Sequence, residues 1–473
     1  MSAPVFVVVG HPNKGKSSIV ATLAQDDSVR IASEPGTTIK ARQFPMRVDE
    51  HILYTLVDTP GFQRARRALF WLQQHETTAA EHAQIVSRFI EQQHGSPQFH
   101  DECELLVPIV AGGGILYVVD GAKPFGPEYE PEMEILRWTG QPSMALINPI
   151  GEAHYIDQWE AALGQYFKIV RVFNAMTAEF DKRLELLRAF GQLRENWREP
   201  MREAVQALEL DRRHRRQRAA QAIAKMLIDM LTLSVSKNLA HDDDPQDHHA
   251  ELERKFKKRL RSAEERCRAE VERIYYHDGI KRQEDNAAPL EGDLFSQETW
   301  HLFGQSKWRL AALAAAGGAA VGGLIDASLG GLSFFVGTAI GGAAGAALGW
   351  QAANWSANFQ LFNLPGVEKW GLGGGRLQCG PTTNRNLPYV VLGRVRYHHQ
   401  LIAKRTHARR DALVLDENRQ QAGVLNPLAD KQAKRLEGLF TKLRKTSGNM
   451  EHVWNMKDSL VREIESLLEE DVV

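Results

Sequence analysis

Residues 10–17 read Gly-His-Pro-Asn-Lys-Gly-Lys-Ser, between the apolar run Val5-Phe6-Val7-Val8-Val9 and the stretch Ser18-Ile19-Val20-Ala21-Thr22-Leu23. A buried strand that enters a glycine-rich turn and leaves it as a helix gathers backbone N–H groups and the positive end of the helix dipole around one point. That point suits a phosphate. Within the G-x-x-x-x-G-K-S pattern, Gly10 and Gly15 permit the turn and Lys16 reaches the terminal phosphates, while the Ser17 hydroxyl can ligate Mg²⁺. Pro12, Asn13, Lys14 and Ser18 complete the candidate nucleoside triphosphate loop. The chain must therefore begin with an α/β P-loop domain, helices on both faces of its sheet.

The next hundred residues narrow the class. Ile52-Leu53-Tyr54-Thr55-Leu56-Val57 reads as a strand ending in Asp58-Thr59-Pro60-Gly61. An aspartate there can hold Mg²⁺ through water, and the glycine N–H can meet a terminal phosphate. Between the two motifs lies Glu34-Pro35-Gly36-Thr37-Thr38, followed by a candidate strand at 40–48; a threonine there can complete the Mg²⁺ shell. Gly-x-Pro-Asn-x-Gly-Lys-Ser, Pro-Gly-x-Thr and Asp-Thr-Pro-Gly, in that order, resemble the loops of the Era/TrmE type of bacterial GTPases, of the TRAFAC class. The resemblance covers roughly the first 175 residues. It implies a Ras-like mixed sheet, GTP and Mg²⁺, with Lys16 as phosphate clamp, Ser17 and Thr38 as metal ligands, and Asp58 as outer-sphere partner. Thr37 is the fallback for Thr38. Phe62 follows the motif where Ras-like enzymes carry a water-orienting glutamine, so hydrolysis by the domain alone is expected to be slow. Asn13 matches an asparagine that in several relatives helps bind K⁺, often when two G domains dimerise; its other reading is a loop asparagine capping its own turn.

The base end matches less well. Strands are expected at 114–120, 143–147 and 167–173, and the fifth leads into Asn148-Pro149-Ile150-Gly151, where relatives carry Asn-Lys-x-Asp. Gly151 thus stands in place of the carboxylate that accepts two hydrogen bonds from guanine. Loss of such a pair costs a few kcal/mol, on the order of a hundredfold in discrimination. Glu152 or Asp157 could supply a substitute, and Asn174-Ala175 falls at the Ser-Ala base-contact turn of relatives. GTP remains the expected nucleotide. Residues 64–93 form a long helical stretch after the switch, either a transmitter of nucleotide state or an added packing helix.

With 473 residues and a net charge of -1, the chain is too long for one core and too neutral for bulk capture of nucleic acid. Cys103, Cys267 and Cys379 are far apart and read as small apolar residues of a reducing compartment. No cleavable apolar leader is expected, which keeps the N-terminal domain cytoplasmic. The organisation reads as a GTPase domain at 1–183, a charged amphipathic helical arm at 184–290 and a helical domain at 291–473. In the arm, two long helices flank an acidic loop at 241–245. Its arginine run, Arg212, Arg213, Arg215, Arg216 and Arg218, is expected to be a solvated face or a phosphate contact. His241, His248 and His249 lack a metal-ligand spacing and read as loop residues.

Residues 310–325 and 327–350 carry no charge and are separated only by Asp326. Each half is about long enough to cross a ~30 Å hydrocarbon core as a helix. Gly337, Gly341, Gly345 and Gly349 share one helix face, as do Ala314, Gly318, Gly322, Asp326 and Gly330. An Ala/Gly-rich hairpin over 308–355, a glycine zipper, follows, with Trp308, Trp350, Trp355, Lys307 and Arg309 at one end as a cytoplasmic-face belt. A buried hairpin in a soluble domain is the other reading. Beyond it, Tyr389-Val390-Val391-Leu392 reads as a strand. Arg394, Arg396, Lys404, Arg405, Arg409 and Arg410 read as a basic helix facing water or anionic lipid, and 431–468 as amphipathic helix. The whole resembles bacterial proteins joining an Era-type domain to a helical domain of unknown function with such a hairpin. The expectation is a slowly hydrolysing GTP switch at the inner membrane, peripheral or integral, with lipid and a second G domain as partners. The alternatives are an RNA or ribosome-maturation GTPase, less favoured, and a nucleotide-dependent scaffold.

Overall fold

The computed structural model describes residues 3–26, 28–29, 40–48, 50–76, 78–240, 242–277, 293–296, 299–300, 303, 357–363, 375–408, 430–445 and 450–470. Thr37, Thr38, His241, Arg409, Arg410 and the 308–355 hairpin lie outside them. The chain divides into two compact units. One is Met1–Arg213 with Tyr276–Asp278 and Lys404–Arg410; the other is His214–Tyr275 with Gly279–Ala403 and Asp411–Val473.

The first unit is built on one mixed sheet. Its strands are β1 (Val5–Val9), β2 (Arg42–Val48), β3 (His51–Asp58), β4 (Gly114–Val119), β5 (Ser143–Ile147) and β6 (Val170–Val172). They lie in the order β2-β3-β1-β4-β5-β6, and only β2 runs antiparallel to its neighbour. Alternation along β1 feeds two cores. Phe6 and Val8 pack with Ile19, Leu56, Val118 and Phe190, while Val7 and Val9 pack with Val57, Phe89, Val119 and Trp159. Because both faces are covered, central β4 is buried at every position and reads as an unbroken apolar run.

Helix α1 (Lys16–Ala24) lies on the first face. The second face is covered by α2 (Ala65–Gln74), α3 (His82–Gln93), α4 (His100–Val110), α5 (Glu130–Trp138) and α6 (Ile156–Leu163). Helix α7 (Phe180–Phe190) and the start of α8 (Arg198–Thr232), through Met201, Ala204 and Leu208, return to the first. The helical stretch expected at 64–93 is thus two helices. The strand expected over 167–173 shortens to β6, which among the described residues is an edge strand paired to β5.

In the second unit the remainder of α8 packs with α9 (His249–Ile274), α10 (Leu387–Lys404), α11 (Asp430–Lys445) and α12 (Met450–Glu470). A small antiparallel sheet, β7 (Val235–Asn238), β8 (Phe359–Asn363) and β9 (Gly375–Cys379), has the order β7-β9-β8. Tyr389-Val390-Val391-Leu392 is not a strand but the first turns of α10. A four-residue apolar run does not distinguish a strand from a helix buried on every side, and α10 is buried on every side. Asn384 starts it, its Oδ1 accepting from the N–H groups of Asn386 (2.9 Å) and Leu387 (3.1 Å).

The arginines of α10 face neither water nor lipid. Arg394 and Arg396 are 2% and 3% exposed. Arg394 Nε donates to Glu264 Oε1 of α9 at 2.7 Å, and His398 pairs with Glu272 at 3.0 Å. The earlier run is only partly solvated. Arg215 is buried, Arg212 pairs with Asp181, and Arg216 pairs with Glu469. The two described histidines expected in a loop are not in one: His248 ends a short 3-10 helix (Pro245–His248) and contacts Lys237 Nζ at 3.1 Å, and His249 opens α9 and stacks on Phe359. The three cysteines are free and buried, and burial pushes their thiols up, Cys267 to about 12.

Candidate nucleotide site

The loop after β1 is shaped by backbone conformations open to few residues. Gly10, Asn13 and Gly15 have φ of +141°, +61° and +81°. A Cβ on Gly10 would lie 2.4 Å from the Val118 carbonyl oxygen, and one on Gly15 would lie 2.2 Å from Asn148 Nδ2. Gly15 is also the N-cap of α1, and no side chain caps it. The first turn of α1 therefore offers its N–H groups and dipole to whatever occupies the loop. Ser18 sits half-buried in that turn, Pro12 half-buried and Asn13 exposed on the loop.

Lys16 curls over the loop, its Nζ donating to the carbonyl oxygens of Gly10 (3.2 Å) and His11 (3.1 Å). Burial lowers its pKa to about 8, against the raising influence of Asp58 and Glu132. It stays largely cationic at neutral pH, and a nearby anion would hold it so. Parallel pairing of β1 with β3 sets Asp58 opposite Val8. This brings Asp58 Oδ2 to 2.8 Å from Ser17 Oγ, which donates to it. A hydroxyl and a carboxylate at one point are hard oxygen donors that suit Mg²⁺.

The segment after β3 is clamped from two sides. A Cβ on Gly61 would lie 2.6 Å from Pro12 N, and the Phe62 N–H donates to the Gly10 carbonyl oxygen at 3.3 Å. The Phe62 ring is 1% exposed and belongs to the core of the second face, so it presents nothing to a water at the loop. From α4, Glu102 Oε1 accepts from the N–H groups of Gln63 (2.9 Å) and Arg64 (2.6 Å), tying down the start of α2.

Asn148, at the end of β5, joins three loops. Its Nδ2 donates to the Lys14 carbonyl oxygen at 3.2 Å, and its Oδ1 accepts from Ala175 N–H at 3.1 Å. Asn174 Nδ2 donates to the Pro149 carbonyl oxygen at 3.1 Å, while its Oδ1 accepts from Met176 N–H at 2.9 Å. Gly10, Pro12, Asn13, Lys14, Gly15, Lys16, Ser17, Ser18, Asp58, Gly61, Asn148, Asn174 and Ala175 thus meet around the carboxyl ends of the parallel strands, where open α/β sheets bind ligands. Glu152 and Asp157 are exposed, and Glu152 pairs with His154.

Two groups were not legible in the sequence. Glu102 is one. The other is Glu132 of α5, 1% exposed, which accepts from His11 Nδ1 (2.8 Å) and Tyr117 OH (2.9 Å) beneath the loop. Burial raises the pKa of Glu132, and the His11 hydrogen bond opposes the rise. The available signal was a carboxylate beside Met133, Ile135 and Leu136 on a helix that buries them.

A family model described as "Domain of unknown function (DUF3482)" matches residues 160–466, and one described as "50S ribosome-binding GTPase" matches residues 5–147. GTPase Der of Mycoplasma pneumoniae is 44% identical over 59 residues, 12% of this chain and 13% of that protein. GTPase Der of Paraburkholderia phymatum is 25% identical over 167 residues, 34% of this chain and 31% of that protein. The chain thus spans less than a third of the length of these relatives. Among solved structures, Aquifex aeolicus Era bound to GDP.AlF4- aligns over 58% of this chain and 90% of that one, at 16% identity and a TM-score of 0.30.

Proposed function

The chain belongs to the DUF3482 family of unknown function, and because it sets a GTP-binding α/β P-loop GTPase domain ahead of a mostly helical region, we propose that it is a Mg²⁺-dependent nucleotide switch of low intrinsic turnover. The observation that carries the reading is the uncapped Gly15 turn, with Lys16 folded across it and Ser17 bonded to Asp58. Mg²⁺ held by Ser17 and Asp58 would offset phosphate charge, with Thr38, or Thr37, as a further ligand. The buried Phe62 ring supports slow hydrolysis, since no side chain of that residue can orient water. The Gly61–Arg64 segment, held by the loop on one side and Glu102 on the other, is the part that would respond to a third phosphate.

Among the described residues no helix is long and apolar enough to cross a membrane. Membrane association is proposed from the uncharged, glycine-periodic sequence of 308–355 alone, and with it a cytoplasmic location at the inner membrane. K⁺ at Asn13 and G-domain dimerisation are proposed from the motif. The description of the N-terminal family as ribosome-binding favours a second reading, a soluble GTPase acting on the ribosome.

Direct titration of full-length protein with GDP and a GTP analogue, with and without Mg²⁺, tests the first reading. Lys16→Ala is expected to weaken binding by about 10- to 100-fold, the worth of its charge-assisted phosphate contacts. Unchanged affinity sinks the assignment. Carbonate washing of membranes separates the two locations. Retention that is lost on deletion of 308–355 supports the membrane switch, while solubility of both forms turns the reading toward the ribosome.

A further inference from the structure

A site discriminates strongly between bases only when the wrong base leaves one of its buried polar groups unpaired. At the base end of this site the polar groups satisfy one another. The Asn148 amide gives one N–H to the Lys14 carbonyl and accepts the Ala175 N–H; its second N–H could meet only an acceptor such as N7, which both purines carry. Asn174 likewise gives one N–H to the Pro149 carbonyl and accepts the Met176 N–H. The Ile150 N–H donates to Asp120 Oδ1 at 3.3 Å, as does that of Ala122 at 3.0 Å, and Asp120 is only 3% exposed.

The surface left for a base is apolar and small. Ile150 is 52% exposed, and its Cδ1 lies 3.5 Å from the Cβ position of Gly15. At Gly151, where a carboxylate would accept the N1–H and exocyclic amine of guanine, an added Cβ meets only Ala122 Cβ, at 3.8 Å. The carboxylates that follow do not substitute. The Glu152 side chain is 87% exposed and pairs with His154 at 2.8 Å, and Asp157 is exposed in the first turn of α6. The phosphate end, by contrast, presents the uncapped Gly15 turn, Lys16 folded across it and Ser17 beside Asp58.

We infer that this site is selective for the polyphosphate and tolerant of the purine, binding adenine nucleotides about as well as guanine nucleotides, with Gly151 the position that sets this tolerance. The inference rests on the phosphate-loop reading above. The base lies against Ile150 and is held by apolar contact, which adenine and guanine provide alike. Neither base is penalised, because neither leaves a buried group of the protein newly unpaired. ATP and GTP then compete for one site, and their relative concentrations decide its occupant.

Isothermal titration of the full-length chain with Mg·GDP and Mg·ADP tests this directly. The expected result is two affinities within about tenfold of each other and mutual competition. Gly151→Asp, which has room for its side chain, is expected to shift the GDP-to-ADP ratio toward GDP by about 10- to 100-fold, the worth of charge-assisted bonds to guanine. Gly151→Ala, carrying no carboxylate, is expected to leave the ratio unchanged and so controls for steric effects. GDP bound a hundredfold or more tighter than ADP by the unmodified protein overturns the inference and leaves the phosphate site standing. Failure of both nucleotides to bind overturns the phosphate-loop reading and the inference with it. An unaltered ratio in a folded Gly151→Asp protein removes Gly151 as the determinant.

Discussion

Asn148→Ala removes a side chain that ties the phosphate loop to both base-side loops. Its amide bonds the Lys14 carbonyl at 3.2 Å and the Ala175 N–H at 3.1 Å, with Asn148 3% and Ala175 0% exposed. Truncation leaves a buried acceptor and a buried donor unpaired, each costing about 1–3 kcal/mol. Partial relaxation around the smaller side chain brings the sum to roughly 3 kcal/mol, or a fall of about 6–12 °C in the melting temperature of a unit this size. Asn148→Asp keeps the acceptor for Ala175 but sets a buried carboxylate oxygen against the Lys14 carbonyl, so stability should fall while its Ala175 amide keeps its partner. The assay is native-state hydrogen exchange resolved at Ala175, alongside urea unfolding of the full-length chain. In the alanine variant that amide should exchange at least tenfold faster, and the 143–175 region should lose stability ahead of the second unit. A loss under about 0.5 kcal/mol with Ala175 still protected would refute the reasoning, since surface changes alone stay within that range.

Three further outcomes follow from single contacts. His399 is fully buried, and burial, with His398, Arg216 and Arg396 nearby, lowers its pKa to about 3. Its folded pKa lies below the unfolded 6.5, so its contribution is complete above pH 6.5 and is lost as pH falls toward 3; between pH 7 and 5 the loss is about 2 kcal/mol. His399→Gln, which retains an acceptor for Tyr275 OH, should flatten the urea-midpoint profile by that amount, and an unchanged slope would exclude His399 as its source. Arg394→Met removes the 2.7 Å partner of buried Glu264, with Arg268 Nε farther off at 3.8 Å, and should cost about 3–5 kcal/mol, while the double change with Glu264→Leu should recover most of it; additive costs in a double-mutant cycle would show that the pair is not coupled. Gly61→Ala drives a Cβ to within 2.6 Å of Pro12 N and should weaken binding of a GTP analogue about tenfold or more, whereas equal affinity would mean the loop yields freely.

Motifs whose residues are neighbours in the chain were readable because their chemistry is local. Gly10 to Ser17 needs only a strand before it and a helix after it, and Asp58 and Asn148 announce themselves at the ends of apolar strands. What escaped depends on partners far away. Glu102 bonds residues 38 and 39 positions earlier, Glu132 meets His11 across 121, and Arg394 finds Glu264 across 130. An isolated charge carries no record of its partner, so the arginines of α10 read as a wet face although both are buried. The same helix misled at Tyr389-Val390-Val391-Leu392, because burial on all sides erases the periodicity that separates helix from strand.

The glycines of the site divide it into two kinds of surface. At Gly10, Gly15 and Gly61 an added Cβ would come within 2.4, 2.2 and 2.6 Å of neighbouring atoms, and two of the three also require positive φ. There glycine is a steric necessity, and the backbone it permits is what would meet a phosphate in the proposed site. At Gly151 the nearest atom is 3.8 Å away and the backbone is ordinary, so glycine is only a missing side chain. Phosphate recognition through the backbone cannot be altered one residue at a time without distorting the loop, whereas base recognition through a side chain can be gained or lost by one substitution with the fold unchanged. A phosphate site that needs its glycines beside a base site that merely lacks a carboxylate is therefore a stable combination, and Gly151 is where it can be tuned.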